Sequence, residues 1–535
     1  MRRILGFVLV AGAVTLPACA SETPSSAPGA RAAVPAAAPV ERAPAVDPSA
    51  LAEAKRAADL RAARHLLNRC TFGPRPGEVE RVARLGTARW LDEQLAGPDE
   101  NPLLEPAMIS LSGAYLPPAE LVEDWIGAEA AEMTDRKNLR ERTKPHFREH
   151  VKRLATAELT RHILSHRQLE QVMVDFWVNH FNTYASKGLV RLFAGDYVER
   201  ALRPRALGRF SELLAATARH PAMLLYLDNA ESRAPGTNPR RPRGGLNENY
   251  ARELLELHTL GIDGGYTQRD VTEVARILTG FSLEVRAGRL EYRFKKGAHD
   301  RGEKRVLDWT FPAGQDEAEG LRLLALLAEH PSTARNIGRK LCARFVADQP
   351  DGACVDIASA AFRESGGDIG RVVRAIIESP SFASESVYDA KLKTPVELVA
   401  SAARALDAMP DGSLALAEVL QKLGEPLLQE SVPTGYPDGE TDWASSGAML
   451  ARLRFATALG SGDLRGLRVA WDELAPLSLP PPELVTRLSS RLFEGGTNER
   501  ARAIVEAELA FVDDPRARRS AAVALLVGSP EFQRQ

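Results

Sequence analysis

"LNENYARELLELHTLG", residues 246–261, decides the fold class of this chain. With Glu248 at 0° on a helical wheel, Arg252 falls at about 40°, Glu256 at about 80°, Asn249 at about 100° and Glu253 at about 140°. Tyr250, Ala251, Leu254, Leu255, Leu257 and His258 take the opposite arc. This division into a polar and an apolar side predicts an amphipathic helix. Asn247 or Asn249 is placed to cap it, and Glu248 lies near its positive end. Glu248–Arg252 and Arg252–Glu256 are spaced for ion pairs along one face. Two readings follow. The arc is an exposed salt-bridge ladder, or it is a functional face. On the second reading Glu248 and Glu253 are acid/base groups or metal ligands, and Asn249 and Arg252 orient the substrate.

Helical spacing extends well beyond this stretch. "SALAEAKRAADLRAARHLLNRC" (49–70), residues 117–182, about 317–409 and the last 90 residues all show it. "SLEV" and "RLEYRF" alternate apolar and polar residues across "RAG", which predicts a β-hairpin near 282–295. The fold class is therefore mainly α, a large multi-helical body with one small β-hairpin. We divide it into a main helical domain, 49–410, and a C-terminal helical lobe of the same domain, 411–535. Between the helices near 424–445 runs "GEPLLQESVPTGYPDGETDWAS", a Pro/Gly-rich loop long enough to suggest a functional role.

The N-terminus has the pattern of a targeting segment. "MRR" precedes an apolar run of 11 residues, "ILGFVLVAGAV", too short to span a bilayer. "LPAC" then resembles the lipobox of a bacterial lipoprotein, with cleavage before Cys19 and a lipid on its sulfur. Cleavage after Ala20 is the alternative. On the first reading residues 1–19 are the signal, and Cys19 anchors the protein to a membrane. Residues 20–48, rich in Ala, Pro and Ser, form a tether that cannot build a core. The expected location is the cell envelope, lipid-anchored, periplasmic or extracellular. With 69 basic and 71 acidic residues the net charge is −2, and no nucleic-acid partner is expected. Of the remaining cysteines, Cys342 and Cys354 either pair in an oxidising compartment or, with Cys70, are small buried hydrophobes.

Other segments carry chemistry-bearing residues. In "MVDFWVNHF" (173–181) Asp175 and Asn179 stand one turn apart on an otherwise apolar helix, with His180 at its end. A buried carboxylate there needs a partner or a task. Asp175 and His180 are expected to line a cleft with Glu248 and Glu253, as acid and base or as ligands of a divalent metal. "LYLDNAES" (225–232) adds Asp228 and Asn229 as substrate-binding candidates. Arg233, Arg240, Arg241 and Arg243 follow in a Pro/Gly-rich loop that suits an anion. "KKGAHDRGEK" adds His299 and Asp300, either a proton-transfer pair or an ordinary charged turn. "HFREH" (146–150) fits the spacing of an inverted zinc-peptidase motif but sits in a strongly charged stretch.

Taken together, several separated motifs resemble one family. They are "HLLNRCTFGP" (65–74), "MVDFWVNHF", "NENYARELLELHTLG" (247–261), "GGYTQRDVTEVARILTGF" (264–281), "HPSTARNIGRKLCARFV" (330–346), "KTPVELV" (393–399) and "LGEPLL…PTGYP…W" (423–443). In this order they resemble the bacterial secreted family known as domain of unknown function 1800. The resemblance implies export and a large helical body, and no settled activity. Members are often encoded beside a second secreted family, domain of unknown function 1501, itself similar to sulfatases and alkaline phosphatases. That implies a shared pathway, and a sulfatase-like secreted protein as partner. Two positions depart from the family pattern. Tyr436 stands where Trp is more usual, and His258 stands where many members have an apolar aromatic, so it is not counted as a site residue.

The expected function is that of an exported hydrolase-like enzyme acting on a glycan or other anionic polymer. Paired carboxylates are what glycoside hydrolysis requires. The alternative is a non-enzymatic envelope component that binds the sulfatase-like partner. The two differ in whether the acids converge on an open pocket.

Overall fold

Every residue of the helix Pro395–Ala405 is buried, and the site is built at its N-terminus. Its sequence, "PVELVASAARA", has no continuous polar stripe, which is the mark of a core helix. A helix end in the core must satisfy its own free amides. Here Thr394 and Glu397 form a capping box: Thr394 Oγ1 accepts from the Glu397 amide, and Glu397 Oε2 accepts from the Thr394 amide at 2.9 Å. The Val396 amide donates to Glu425 Oε2 at 2.9 Å. At the far end Arg404 is 1% exposed, and its guanidinium reaches the carbonyls of Gly73 and Ile163 and the Glu78 carboxylate. Gly73 has φ +93°, and a Cβ there would lie 2.8 Å from Ser401 Cβ, so "TFGP" docks through a glycine.

The structure is a computed structural model and describes residues 48–96, 101–132, 135–235, 245–286, 289–493 and 499–535. The signal segment, Cys19, most of the tether, Arg240, Arg241 and Arg243, and the hairpin turn at 287–288 lie outside the described residues. The fold is mainly α. Glu53–Gln535 forms one compact unit. Helices Phe147–Leu164, Gln168–His180, Pro331–Phe345 and Pro395–Ala405 contribute to its continuous apolar core. The expected hairpin pairs Phe281–Arg286 with Arg289–Phe294, antiparallel. Two shorter antiparallel pairs accompany it, Lys304–Val306 with Trp309–Phe311 and Met409–Pro410 with Leu467–Arg468. Strands of two or three residues show no alternation that a sequence reading could detect. The second of these pairs joins the segments 49–410 and 411–535. A further join comes from the last residues, where the Lys393 amide donates to the Gln533 carbonyl at 2.8 Å.

Cys342 and Cys354 are joined in a disulfide that links helix Pro331–Phe345 to helix Gly352–Glu364. Cys70 is free and buried. Both helices are otherwise fixed by packing, so the bond acts mainly by restricting the unfolded chain. The double variant C342S/C354S is expected to fold and to lose about 2–4 kcal/mol of stability. Urea denaturation under oxidising conditions checks this, and an unchanged midpoint would show that the link contributes nothing.

Candidate functional site

The last turns of Gln168–His180, the middle of Pro331–Phe345, the start of Pro395–Ala405 and the loop after Leu423 enclose one polar cavity of about 90 Å³. Its wall includes Asp175, Asn179, His180, Lys340, Arg344, Glu397, Glu425 and Tyr436. A space of this size holds a few waters or one small polar group of a larger ligand.

Asp175 is half-buried and lines the cavity, and its carboxyl has no hydrogen-bond partner among the described residues. Burial pushes its pKa up to about 7, and the nearby Arg344 charge opposes this. Glu425 is 8% exposed, and burial followed by the charge of Asp175 raises it to about 8. Glu397 behaves in the opposite way. Burial would raise it, but Arg344, the Gln535 side chain and the Thr394 amide hold it below the usual carboxylate range. The cavity wall therefore holds one carboxylate kept ionised, Glu397, and three acids pushed upward by burial, Asp175, Glu425 and Asp438. Such divergent carboxyls are the arrangement from which acid and base roles are made.

Arg344 is 8% exposed, and its Nη2 lies 2.9 Å from Glu397 Oε1. This ion pair lacks hydrogen-bond alignment, and neither Nη atom has an acceptor among the described residues. His180 is buried and neutral: desolvation, then the Lys340 charge, holds its pKa far below the ordinary value. Lys340 Nζ donates to His180 Nδ1 at 3.2 Å, so the other ring nitrogen carries the proton and donates to the His258 carbonyl at 3.2 Å. Desolvation lowers Lys340 itself to about 8.

The loop of residues 424–445 closes one side of the cavity. Asn179 clasps it with both ends of its amide: Nδ2 donates to the Tyr436 carbonyl at 2.9 Å, and Oδ1 accepts from the Tyr436 amide at 2.6 Å. Tyr436 Oη donates to the Pro426 carbonyl at 2.8 Å. Gly435 has φ +76°, and a Cβ there would lie 2.4 Å from Asn179 Oδ1. "TGYP" is thus a close backbone approach that excludes any side chain at 435.

Of the catalytic and substrate-binding candidates among the described residues, the structure brings Asp175 and His180 to this cavity, with Asn179 of the same helix beside them. Glu248 instead accepts from Gln268 Nε2 at 2.8 Å and Thr272 Oγ1 at 2.7 Å, tying its helix to Gln268–Ile277. Arg252 donates to Gln268 Oε1, and the side chain of exposed Asn249 donates to the Leu227 carbonyl at 3.4 Å. Glu253 is half-buried without a hydrogen-bond partner among the described residues; burial, then the neighbouring Glu256 charge, raises its pKa. The reason these acids miss the cavity is the orientation of their helix. It meets His180 through buried His258 at its end, whose ring centroid is 6.1 Å from that of His180, and so presents its apolar arc.

The remaining candidates also lie elsewhere. Asp228, with φ +58°, is exposed and pairs with Lys187 at 2.8 Å. Buried Asn229 donates to the carbonyls of Leu278 and Phe281. His299 and Asp300 line a separate open recess. There His299 Nδ1 lies against the Thr279 carbonyl at 2.7 Å, and Arg276 grips Asp300 through two nitrogens. Glu149 of "HFREH" pairs with Arg153 at 2.6 Å. Among the described residues, no group of three or more His, Cys, Asp or Glu is arranged to hold a metal ion.

Several further residues of the cavity were within reach of the sequence. Lys340 and Arg344 lie in "HPSTARNIGRKLCARFV", Glu397 in "KTPVELV", and Glu425 and Tyr436 in "LGEPLL…PTGYP". Four separated motifs thus meet at one cavity. A family profile described as "Protein of unknown function (DUF1800)" matches residues 65–534. The chain belongs to that family. Comparison with curated proteins and with solved structures returns no match.

Proposed function

We propose that this member of the family is an exported, envelope-held enzyme of hydrolase type that acts at the Asp175 cavity on a glycan or other anionic polymer. One observation carries the reading. Asp175, a carboxyl without a hydrogen-bond partner among the described residues, shares a small polar cavity with a protonated Glu425, an ionised Glu397 and a buried guanidinium. A half-buried carboxyl whose pKa is pushed up and which has no hydrogen-bond partner among the described residues is the kind of group that collects at functional sites. Asp175, with its pKa near 7, can give or take a proton at neutral pH. Arg344 supplies positive charge for a carboxylate, sulfate or phosphate group on the substrate. The described residues do not form a metal-ligand set, and proton transfer in this proposal runs through the carboxyls alone. Export is supported by the charged and apolar N-terminal pattern and by the Cys342–Cys354 disulfide, a bond of oxidising compartments.

The test is release of new reducing ends from dextran, polygalacturonate and chondroitin sulfate. Cleavage of an anionic polymer is expected, with the rate reduced tenfold or more in D175N. Asn keeps the shape and removes the titrating proton. If no polymer is cut, or if D175N cuts as fast as the native chain, the enzymatic reading fails. The non-enzymatic reading, an envelope component that binds a sulfatase-like protein, then takes its place.

A further inference from the structure

A second, larger cavity lies on the other side of the same loop. It encloses about 380 Å³ between helix Phe147–Leu164, helix Ala415–Leu423 and residues 426–429. Residues 425–429 form the partition: Glu425, Leu427 and Leu428 line the acid cavity, while Pro426, Leu427 and Gln429 line this one. The apolar wall also includes Phe147, Val151 and Ala417.

Three cations stand in this wall, Arg148, Lys152 and Arg191. Among the described residues only Lys152 has a counter-charge, Glu418 at 2.7 Å. Arg148 is exposed, with no hydrogen bond or ion pair among the described residues. Arg191 sits over the Phe147 ring at 5.2 Å and donates one nitrogen to the Ser186 carbonyl, without a carboxylate partner among the described residues. Its Nε and the Nε2 of Gln429 are buried donors that lack acceptors among the described residues. The Gln429 oxygen is already used, by Ser186 Oγ at 2.5 Å. Positive charge and unmet donors thus share one pocket with an apolar wall. An unmet buried donor carries the full cost of its desolvation, and an acceptor placed there would remove that cost.

We propose that this cavity binds a small ligand with a single oxyanion group, a phosphate, sulfate or carboxylate, on a compact apolar body. The oxyanion would sit between Arg148 and Arg191, beside the Gln429 amide. The body would lie against Val151, Pro426 and Leu427. The volume is in the range of small-molecule sites, about 300–1,000 Å³. A neutral ligand would leave both guanidiniums uncompensated, and a fully polar anion would leave the apolar wall unused. This inference does not depend on the acid cavity being catalytic.

The probe is 8-anilinonaphthalene-1-sulfonate, an aromatic body with one sulfonate, titrated by fluorescence against the full chain. N-phenyl-1-naphthylamine, nearly the same body without the charge, is the control. Saturable binding at one site is expected, about tenfold tighter for the sulfonate than for the amine. R148E should weaken the sulfonate about tenfold or more and leave the amine unchanged. Arg148 is exposed, so this variant tests the site without disturbing the core, and R191A provides the second arm. Near-ultraviolet circular dichroism verifies native packing, because the sulfonate also stains loosened states. Absence of saturable binding, equal affinity for the two probes, or sulfonate binding unaltered by R148E would each overturn the proposal.

Discussion

Glu425→Gln is expected to make the protein more stable, by roughly 4 kcal/mol at pH 8 and by almost nothing below pH 4.5. Glu425 rises from 4.5 to about 8 on folding. Between those values the native state binds a proton that the unfolded chain has released. Stability therefore falls as pH climbs through that window, by about 1.4 kcal/mol per pH unit for the one group. The contribution is whole below the unfolded pKa and gone above the folded one. Glutamine has no proton to lose and can still accept from the Val396 amide, so the slope disappears while the hydrogen bond remains. Buried histidines such as His180 titrate in the opposite sense, since acid must charge them. They are common to both proteins and cancel in the difference. Urea denaturation of both proteins from pH 4 to pH 9 is the measurement. A constant difference across that range would show that Glu425 is ionised in the native state.

The same substitution should impair the activity assigned to the cavity. A residue whose replacement by an isostere stabilises the fold is retained for some other reason, and proton donation is the reason offered here. A purely structural acid would give the reverse result: glutamine would cost stability, as it does wherever a carboxylate holds a cation.

How much of this was legible in the sequence depends on where each signal lies. Helical periodicity identified the class, and the alternation in "SLEV" and "RLEYRF" located the longest hairpin, because both signals are local. Asp175 and His180 stood out because ionisable groups on an apolar helix demand an explanation. The arc of Glu248, Asn249, Arg252 and Glu253 looked equally promising. A helical wheel shows which residues share a face, but not which neighbour the face meets. That helix turns its His258 end to the cavity and its acids to Gln268 and Thr272. Glu397 was hidden as an ordinary capping-box residue, and Glu425 by a loop without period. One sign was available: "PVELVASAARA" is apolar almost all round, so a glutamate at its third position had to be buried.

Glu397→Gln is expected to cost about 3–5 kcal/mol, because it leaves Arg344 buried without its anion. Glutamine retains an acceptor for the Thr394 amide, so the helix cap survives and the loss reports charge alone. The loss should also depend on pH. Glu397 is among the charges that raise Asp175, while Arg344 lowers it. With Glu397 neutral, Asp175 ionises at lower pH and becomes a counter-charge for Arg344. The deficit relative to the native chain should therefore be largest near pH 5, where Asp175 is still protonated, and smaller at pH 8. Removing both charges in R344M/E397Q should recover most of the stability, since a buried pair replaced by uncharged side chains of similar volume is close to neutral. Denaturation curves of the three proteins at pH 5 and pH 8 decide the matter. A loss below about 1 kcal/mol for E397Q, or a deficit that is the same at both pH values, would mean that Asp175 and Arg344 do not sense one another across the cavity.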